Sequence, residues 1–481
     1  MTVNELETIF NPRSIAIVGA SQSPMSPGNW FAQHLLDYGF RGQIYPIAAS
    51  HSEVFGIKAY PSLKDIPNEV DYIICCVPAA AVIDLLNDCP QKGVKGIHLY
   101  TGRFSETGLD EPARLEQEIL QRAKEVGVRM IGPNCMGLYH PKEGISFVYD
   151  LPKEGGSVGM FLQSGGASGE FIRNSALRGI RFSKVVSYGN ALDLNECDYL
   201  EYFLQDSETK IIGAYIEGIK DGRRFFSLLK EGARSKPIVL LKAGLGIAGS
   251  RSVASHTGSL AGSVRIWDTA LRQTGAINAQ SLEEMMDIVV GLNFSPPFSG
   301  RKVAVVGGGG GKSVLSADGW ETAGFSLPPL TKGIREEIKE KLPEMWWNWV
   351  GNPVDVSMLP PSAWGTGLTG NMLRMMSDSP EYDIIVCNLT TDAPVGKDAL
   401  NMFIEPEANQ VIQEAQNRKK PVVVILNGGL LGIQEFDDWR WRMIAKQQSR
   451  FVEAQIPVFP TIGQAANTLR KMADYYENSK D

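Results

Sequence analysis

Five histidines stand in the 481 residues, at positions 34, 51, 98, 140 and 256, so imidazole chemistry has few places to occur. His34 falls in an amphipathic helical pattern, His98 in an apolar run, His51 in a polar stretch and His140 where the pattern breaks. His256 is different. In VASHTGSLAG it is flanked by Ser255, Thr257, Gly258 and Ser259, small donors that leave room for a phosphoryl group. A neutral imidazole is a good nucleophile toward phosphorus and forms a P–N bond labile enough to pass the group onward. Upstream, AYIEGIKDG carries Glu217 at the end of an apolar strand, where a carboxylate can hold one ring nitrogen while the other reacts. The turn Gln163-Ser164-Gly165-Gly166 joins an apolar run to a helical pattern, offering free N–H groups and the positive end of a helix dipole. On these residues alone, a hydrogen-bonded loop histidine stays open as the other reading of His256.

A second glycine run invites a stronger claim and does not sustain it. Gly307 to Gly311 followed by Lys312-Ser313 looks like a phosphate loop, but that motif needs a glycine where Val306 stands. Five successive glycines are also poorly preorganised. The run reads as a strand-to-helix turn at a domain interface, without nucleotide hydrolysis.

The elements that must position these residues follow one grammar. Strands are expected at 14–18, 43–47, 72–77, 96–100 and 129–131, alternating with helical patterns in the manner of a parallel α/β sheet. Ser26-Pro27 is a good helix start and Gly39 a good stop. The grammar restarts at SVGMFLQSGG and again at KVAVVGGGGG. The expected division is a Rossmann-like domain over 1–145, a second domain over 150–292 and a third over 300–481. The net charge of −7 gives no footprint for nucleic acid or anionic lipid. The acidic N-terminus is not a secretory signal, no apolar run reaches spanning length, and the six cysteines are scattered. Together these point to the cytoplasm, with reduced thiols.

Nine motifs in order carry a resemblance over nearly the whole chain: FNPRSIAIVGAS, FRGQIYPI, GIKAYPSLKDIP, GPNCMGLYHP, the QSGG turn, SYGNALDLNECDYLEYF, YIEG, SHTGSLAG and GNPVDV. They resemble the α subunit of NDP-forming acyl-CoA synthetases, related to the α subunit of succinyl-CoA synthetase. The implied fold is a Rossmann-like CoA-binding domain followed by two flavodoxin-like, succinyl-CoA synthetase-like parallel-sheet domains. The implied roles are a phosphorylated His256 on a mobile loop, Glu217 orienting it, and Ser164, Gly165 and Gly166 stabilising the phosphoryl group. Gly19, Ala20, Ser21, Val77 and Pro78 would bind CoA, with Pro133 and Asn134 near its thioester end. Arg103, Glu106 and Cys135 are candidates for the acyl pocket. The implied reaction converts acid, CoA and NTP reversibly into acyl-CoA, NDP and phosphate through an acyl phosphate.

The resemblance also implies a partner. Three α/β modules already use the chain, so the ATP-grasp half belongs to a separate β subunit, in an assembly such as α2β2. That partner would hold ATP/ADP or GTP/GDP and Mg2+; no metal site is expected on this chain. Pro46-Ile47-Ala48-Ala49 replaces the family's Asn-Pro, Arg103 a glycine, Leu162 a serine, and the third module's glycine run an Asn-Ala-Gly-Gly form. Arg103 has two open readings: contact with a polar or second acidic group of the acid, or a solvated arginine beside the site. Two other classes stand beside it: a CoA-binding sensor or scaffold of the same fold without phosphoryl transfer, and an NAD-dependent oxidoreductase, against which the absence of GxGxxG from the first unit counts.

Overall fold

The computed structural model describes residues 3–257, 263–341, 350–358, 367–389, 391, 396–417, 420–426 and 439–479. They form two compact units, Met1–Met285 and Met286–Asp481, divided within the helix Leu282–Phe294.

The first sheet is built from β1 (Ser14–Val18), β2 (Gln43–Ile47), β3 (Tyr72–Cys75), β4 (Gly96–Leu99) and β5 (Arg129–Ile131). All pair in parallel, in the order β2-β1-β3-β4-β5. β1, β3 and β4 are buried along their whole length, as strands covered on both faces must be, and so read as continuous apolar runs. Pro46 is tolerated because β2 is the edge strand of this ladder. Chain direction across the sheet reverses between β1 and β3. That point opens a crevice at their carboxyl ends, where ligands of doubly wound sheets bind.

The second sheet comprises β6 (Gly137–Tyr139), β7 (Val158–Leu162), β8 (Phe182–Ser187), β9 (Ile211–Ile216), β10 (Ile238–Lys242) and β11 (Ile277–Ala279). Its order is β11-β10-β9-β7-β8-β6. The five strands β7 to β11 repeat the first sheet's order, with the reversal now between β7 and β9. β6 runs antiparallel along β8, so residues within the stretch 1–145 complete the second sheet. Arg129 adds a fork of two hydrogen bonds to Asp193 at 2.8 and 2.9 Å, and the Met130 amide donates to the same carboxylate at 2.9 Å. The segment after β8 is thereby fastened to the edge of the first sheet.

The third sheet has β12 (Val303–Gly307), β13 (Ile384–Asn388), β14 (Val422–Ile425) and β15 (Val458–Phe459), parallel and in sequence order. A parallel bridge between Val306 and Val354 flanks β12 on its other side. Asn352 extends that bridge with its side chain. Its Oδ1 accepts from the Val305 amide at 2.9 Å and its Nδ2 donates to the Val303 carbonyl at 2.7 Å. The GNPVDV motif therefore substitutes a side chain for strand pairing, and the third module is the same α/β design with its second strand reduced to a bridge. No helix among the described residues is long and apolar enough to cross a membrane.

Candidate functional site

At the second reversal point, β7 ends at Leu162 and the helix Gly165–Leu177 begins three residues later. Ser164 is its N-cap, extended at φ −96° and ψ 127°, with Oγ accepting from the Ala167 amide at 3.3 Å. A Cβ on Gly165 would lie 2.6 Å from Met136 Cγ, whereas one on Gly166 would meet nothing within 4 Å. Gly165 is thus required by packing. Gly166 faces open space, with N–H groups of the first turn unclaimed by the helix itself.

Glu217 follows β9, directly beside this turn, and is buried. Gln163 holds the two together. Its Oε1 accepts from the Glu217 and Gly218 amides, the latter at 2.8 Å. Tyr215 donates to Glu217 Oε1 at 3.3 Å; burial, with the nearby carboxylate, pushes its phenol far above the ordinary range. Lys242, at the end of β10, donates to the carbonyl of Glu217 at 2.7 Å. Burial lowers the pKa of that ammonium and the Glu217 carboxylate opposes the shift. From below, Glu196 accepts from the Lys220 amide at 2.5 Å, and burial raises the pKa of its carboxyl. Gln163 and Lys242 therefore fix the Glu217 backbone, and Glu196 fixes the loop three residues further on. None of Gln163, Lys242 or Glu196 was singled out as a side chain from sequence; only the apolar-run-then-polar pattern at 163 and 242 hinted at them.

His256 lies in the last turn of the helix Ile247–Thr257, which corrects the expectation of a loop up to that point. The helix starts where Gly244, at φ +75°, turns the chain after β10, and Ser250 Oγ fastens it to the Gly244 carbonyl at 2.9 Å. The side chain of His256, and residues Gly258 and Ser259, lie outside the described structure. The helix packs beside the short turn Ser105–Thr107, next to two acyl-pocket candidates.

In the first module, Gly19 leaves β1 at φ +89°, and its amide and that of Ala20 both donate to the Ile47 carbonyl, at 3.1 and 3.0 Å. The helix Pro27–Tyr38 begins against this turn. A Cβ on Gly28 would come within 2.1 Å of the Gly19 carbonyl oxygen, so only glycine permits the approach. Asn29 Nδ2 donates to the Ser21 carbonyl at 2.9 Å. Gly28 and Asn29 are site-building residues that the sequence reading passed over, although the Ser-Pro helix start pointed to them. Val77 and Pro78 follow β3 across the crevice; Val77 is half-buried with its carbonyl bonded by Thr101, and Pro78 is exposed. Together with the helix N-terminus, this cradle fits an anionic, nucleotide-like group.

The remaining candidates meet where the two sheets adjoin. Glu106 accepts from the Arg103 amide and, through its other oxygen, from Asn190 Nδ2 at 2.7 Å. Asn190's amide donates to the Pro133 carbonyl at 3.0 Å, and Asn134's to the Thr101 carbonyl at 3.0 Å. Asn134 is at φ +58° and Arg103 at φ +72°. The glycine usual at 103 in the resembling family thus occupied the conformation that suits glycine. The Arg103 guanidinium is exposed and makes no hydrogen bond or ion pair among the described residues. Cys135 departs from its expected place in an acyl pocket. It is 5% exposed, its thiol points to the Leu99 carbonyl at 3.7 Å, and burial pushes its pKa far upward, so it is an inert packing group. The glycine run of the third module is a strand-to-helix turn, with Gly307 and Gly308 at φ +101° and +83° and the helix starting at Gly310. Among the described residues no three His, Cys, Asp or Glu side chains gather as a metal site.

The chain is similar to known proteins over most of its length. A CoA binding domain model matches residues 13–141, and a succinyl-CoA ligase like flavodoxin domain model matches 155–292. The chain is 37% identical over 426 residues to subunit alpha of acetate–CoA ligase [ADP-forming] II of Pyrococcus furiosus, covering 88% of this chain and 90% of that one. Against acetate–CoA ligase [ADP-forming] of Methanocaldococcus jannaschii it is 38% identical over 354 residues, 73% of this chain and 49% of the relative, so it spans about half of that longer protein. The dinucleotide forming acetyl-coenzyme A synthetase 1 of Ca. Korarchaeum cryptofilum, solved with phosphate and ADP, superposes with a TM-score of 0.84 at 30% identity, covering 99% of this chain and 98% of that one.

Proposed function

The chain belongs to the family of ADP-forming acyl-CoA ligase α subunits, and from this premise we propose that His256 carries the phosphoryl group between acyl phosphate and nucleotide. The observation that carries the reading is the joined pair at the second reversal point: a Ser164-capped helix N-terminus with open Gly166, tied through Gln163 to Glu217. In the acyl-CoA-consuming direction, a phosphate oxygen attacks the thioester carbonyl; the C–S bond breaks and CoA leaves as its thiol with the proton that phosphate gives up. A neutral His256 nitrogen then attacks phosphorus, the P–O bond to the acyl group breaks, and the carboxylate departs. The ring becomes cationic, which Glu217 stabilises at the other nitrogen's N–H. Ser164, Gly165 and Gly166 offer amides and a helix dipole to the phosphoryl oxygens. An oxygen of the nucleoside diphosphate finally takes the group, restoring neutral imidazole.

CoA is assigned to the turn Gly19 to Ser21 facing Val77 and Pro78, with Pro133 and Asn134 toward the thioester. Arg103 and Glu106 border the acid. Relatives named subunit alpha imply a partner subunit; we assign it the ATP-grasp fold and the nucleotide, in an α2β2 assembly working in the cytoplasm. Mg2+ bound there with the nucleotide would neutralise phosphate charge. Co-expression with the partner and an assay of CoA consumption against a panel of acids tests the reading. ATP-dependent, acid-dependent loss of free thiol supports it; CoA binding without turnover of any acid selects the sensor reading instead.

A further inference from the structure

Gln163 is 2% exposed and sits one residue before the N-cap of the helix Gly165–Leu177. Its own amide donates to the Tyr215 carbonyl at 3.1 Å. Its side-chain oxygen takes two N–H bonds, from Glu217 and Gly218. That fixes which way the amide points, because an NH2 group in the same place would face two donors. The Nε2 group is left with two N–H donors that have no partner among the described residues. Unlike the clamped Oε1, Nε2 is not sealed in the core; it keeps access to solvent, so a ligand oxygen can take its hydrogens there. The residue lies at the carboxyl edge of β7 and β9, beside the open first turn of the helix.

We propose that Gln163 is a phosphoryl-binding residue: its Oε1 clamps the Glu217 loop, and the clamp aims Nε2 at an oxygen of the group on His256. The proposal rests on the phosphohistidine reading above. It adds a neutral, directed donor to the backbone amides of the turn, and it links the geometry of Glu217, which orients the nucleophilic imidazole, to that of the phosphoryl site through a single rigid amide.

Gln163→Glu separates the two roles, because a carboxylate can still accept both backbone N–H bonds but has no donor and repels a phosphoryl oxygen. In the complex with its partner subunit, given Mg2+ and γ-labelled ATP, we expect the variant's acid-labile labelling to slow by roughly a hundredfold with little change in melting temperature. The deficit should shrink as pH falls and the new carboxyl regains a proton to donate, a recovery that a merely structural role would not produce. Wild-type labelling by Gln163→Glu, or a deficit that tracks loss of folded protein and is flat with pH, overturns the proposal. Gln163→Met supplies a second reading if the charged variant does not fold. Inorganic phosphate should raise the wild-type melting temperature and leave the Met variant's unchanged, and an equal rise in both overturns the proposal. Absence of label in the wild type would overturn the phosphohistidine reading itself, so the two failures are distinguishable.

Discussion

The second and third modules present the same backbone device in two states of equipment. In each, a buried strand runs through glycines into a helix at the carboxyl edge of a parallel sheet. In the second, Ser164 caps the helix and Gln163 ties the turn to Glu217 on the neighbouring strand. In the third, Gly309 stands at the N-cap without a side-chain bond, and Asn388, at the end of the neighbouring strand, is 3% exposed with neither amide atom partnered among the described residues. Topology supplies an anion-friendly helix end twice; what differs is whether side chains cap the turn and tie it to the neighbouring strand. More glycine does not mean more function.

The largest effect should come from the second module. Glu217→Gln is expected to slow phosphorylation of His256 by a hundredfold or more without unfolding the protein, measured as the rate of acid-labile labelling; near-wild-type labelling would erase the contrast between the modules.

Acid should divide the two compact units. His34 and His98 are buried in the first, each with its pKa lowered by desolvation to about 4, while no histidine lies in 286–481. A folded pKa below the unfolded value of 6.5 means that the unfolded chain binds more protons between those values, so stability falls as pH drops from 6.5 toward 4. The loss is about 3 kcal/mol for His98 once both states are protonated. Hydrogen exchange against pH should show residues 3–257 opening before 286–479; simultaneous opening would contradict it.

Gly28→Ala forces a Cβ onto the Gly19 carbonyl and should cost about 2 kcal/mol, together with CoA affinity, by denaturant titration and calorimetry. Gly311→Ala, in the third module, meets nothing within 4 Å and should stabilise by about 0.5–1 kcal/mol. Arg103→Gly should gain about 1 kcal/mol by relieving a left-handed backbone, while shifting relative kcat/KM away from acids with a second polar or anionic group; an unchanged acid profile would discard that role for Arg103.

The three-module plan was legible because fully buried parallel strands leave uninterrupted apolar runs, as at Ile15–Val18 and Val303–Val306. Gly137–Tyr139 was not, since three residues carry no period and their antiparallel pairing with β8 is decided by tertiary contact. His256 was read as a loop because of the glycines after it, although SVASHT itself is compatible with a helix. Glu217 and the Ser164 turn could be read from their places at strand ends. The Gln163 clamp, the Glu106–Asn190 link and the seating of Gly28 depend on distances between segments far apart in sequence, which no local pattern encodes. Cys135 shows the reverse error: a chemically reactive type in a motif, turned by the fold into the interior.

The central claim is a phosphoryl group on His256, and the most direct measurement is labelling of the complete complex with γ-labelled ATP and Mg2+, with the labelled peptide mapped at alkaline pH and a parallel sample treated with acid. The account predicts one acid-labile label, on the peptide containing VASHTGSLAG, absent in His256→Asn and discharged by ADP or by acid with CoA. A catalytically active complex that never carries that label, or that carries it unchanged in His256→Asn, would contradict it.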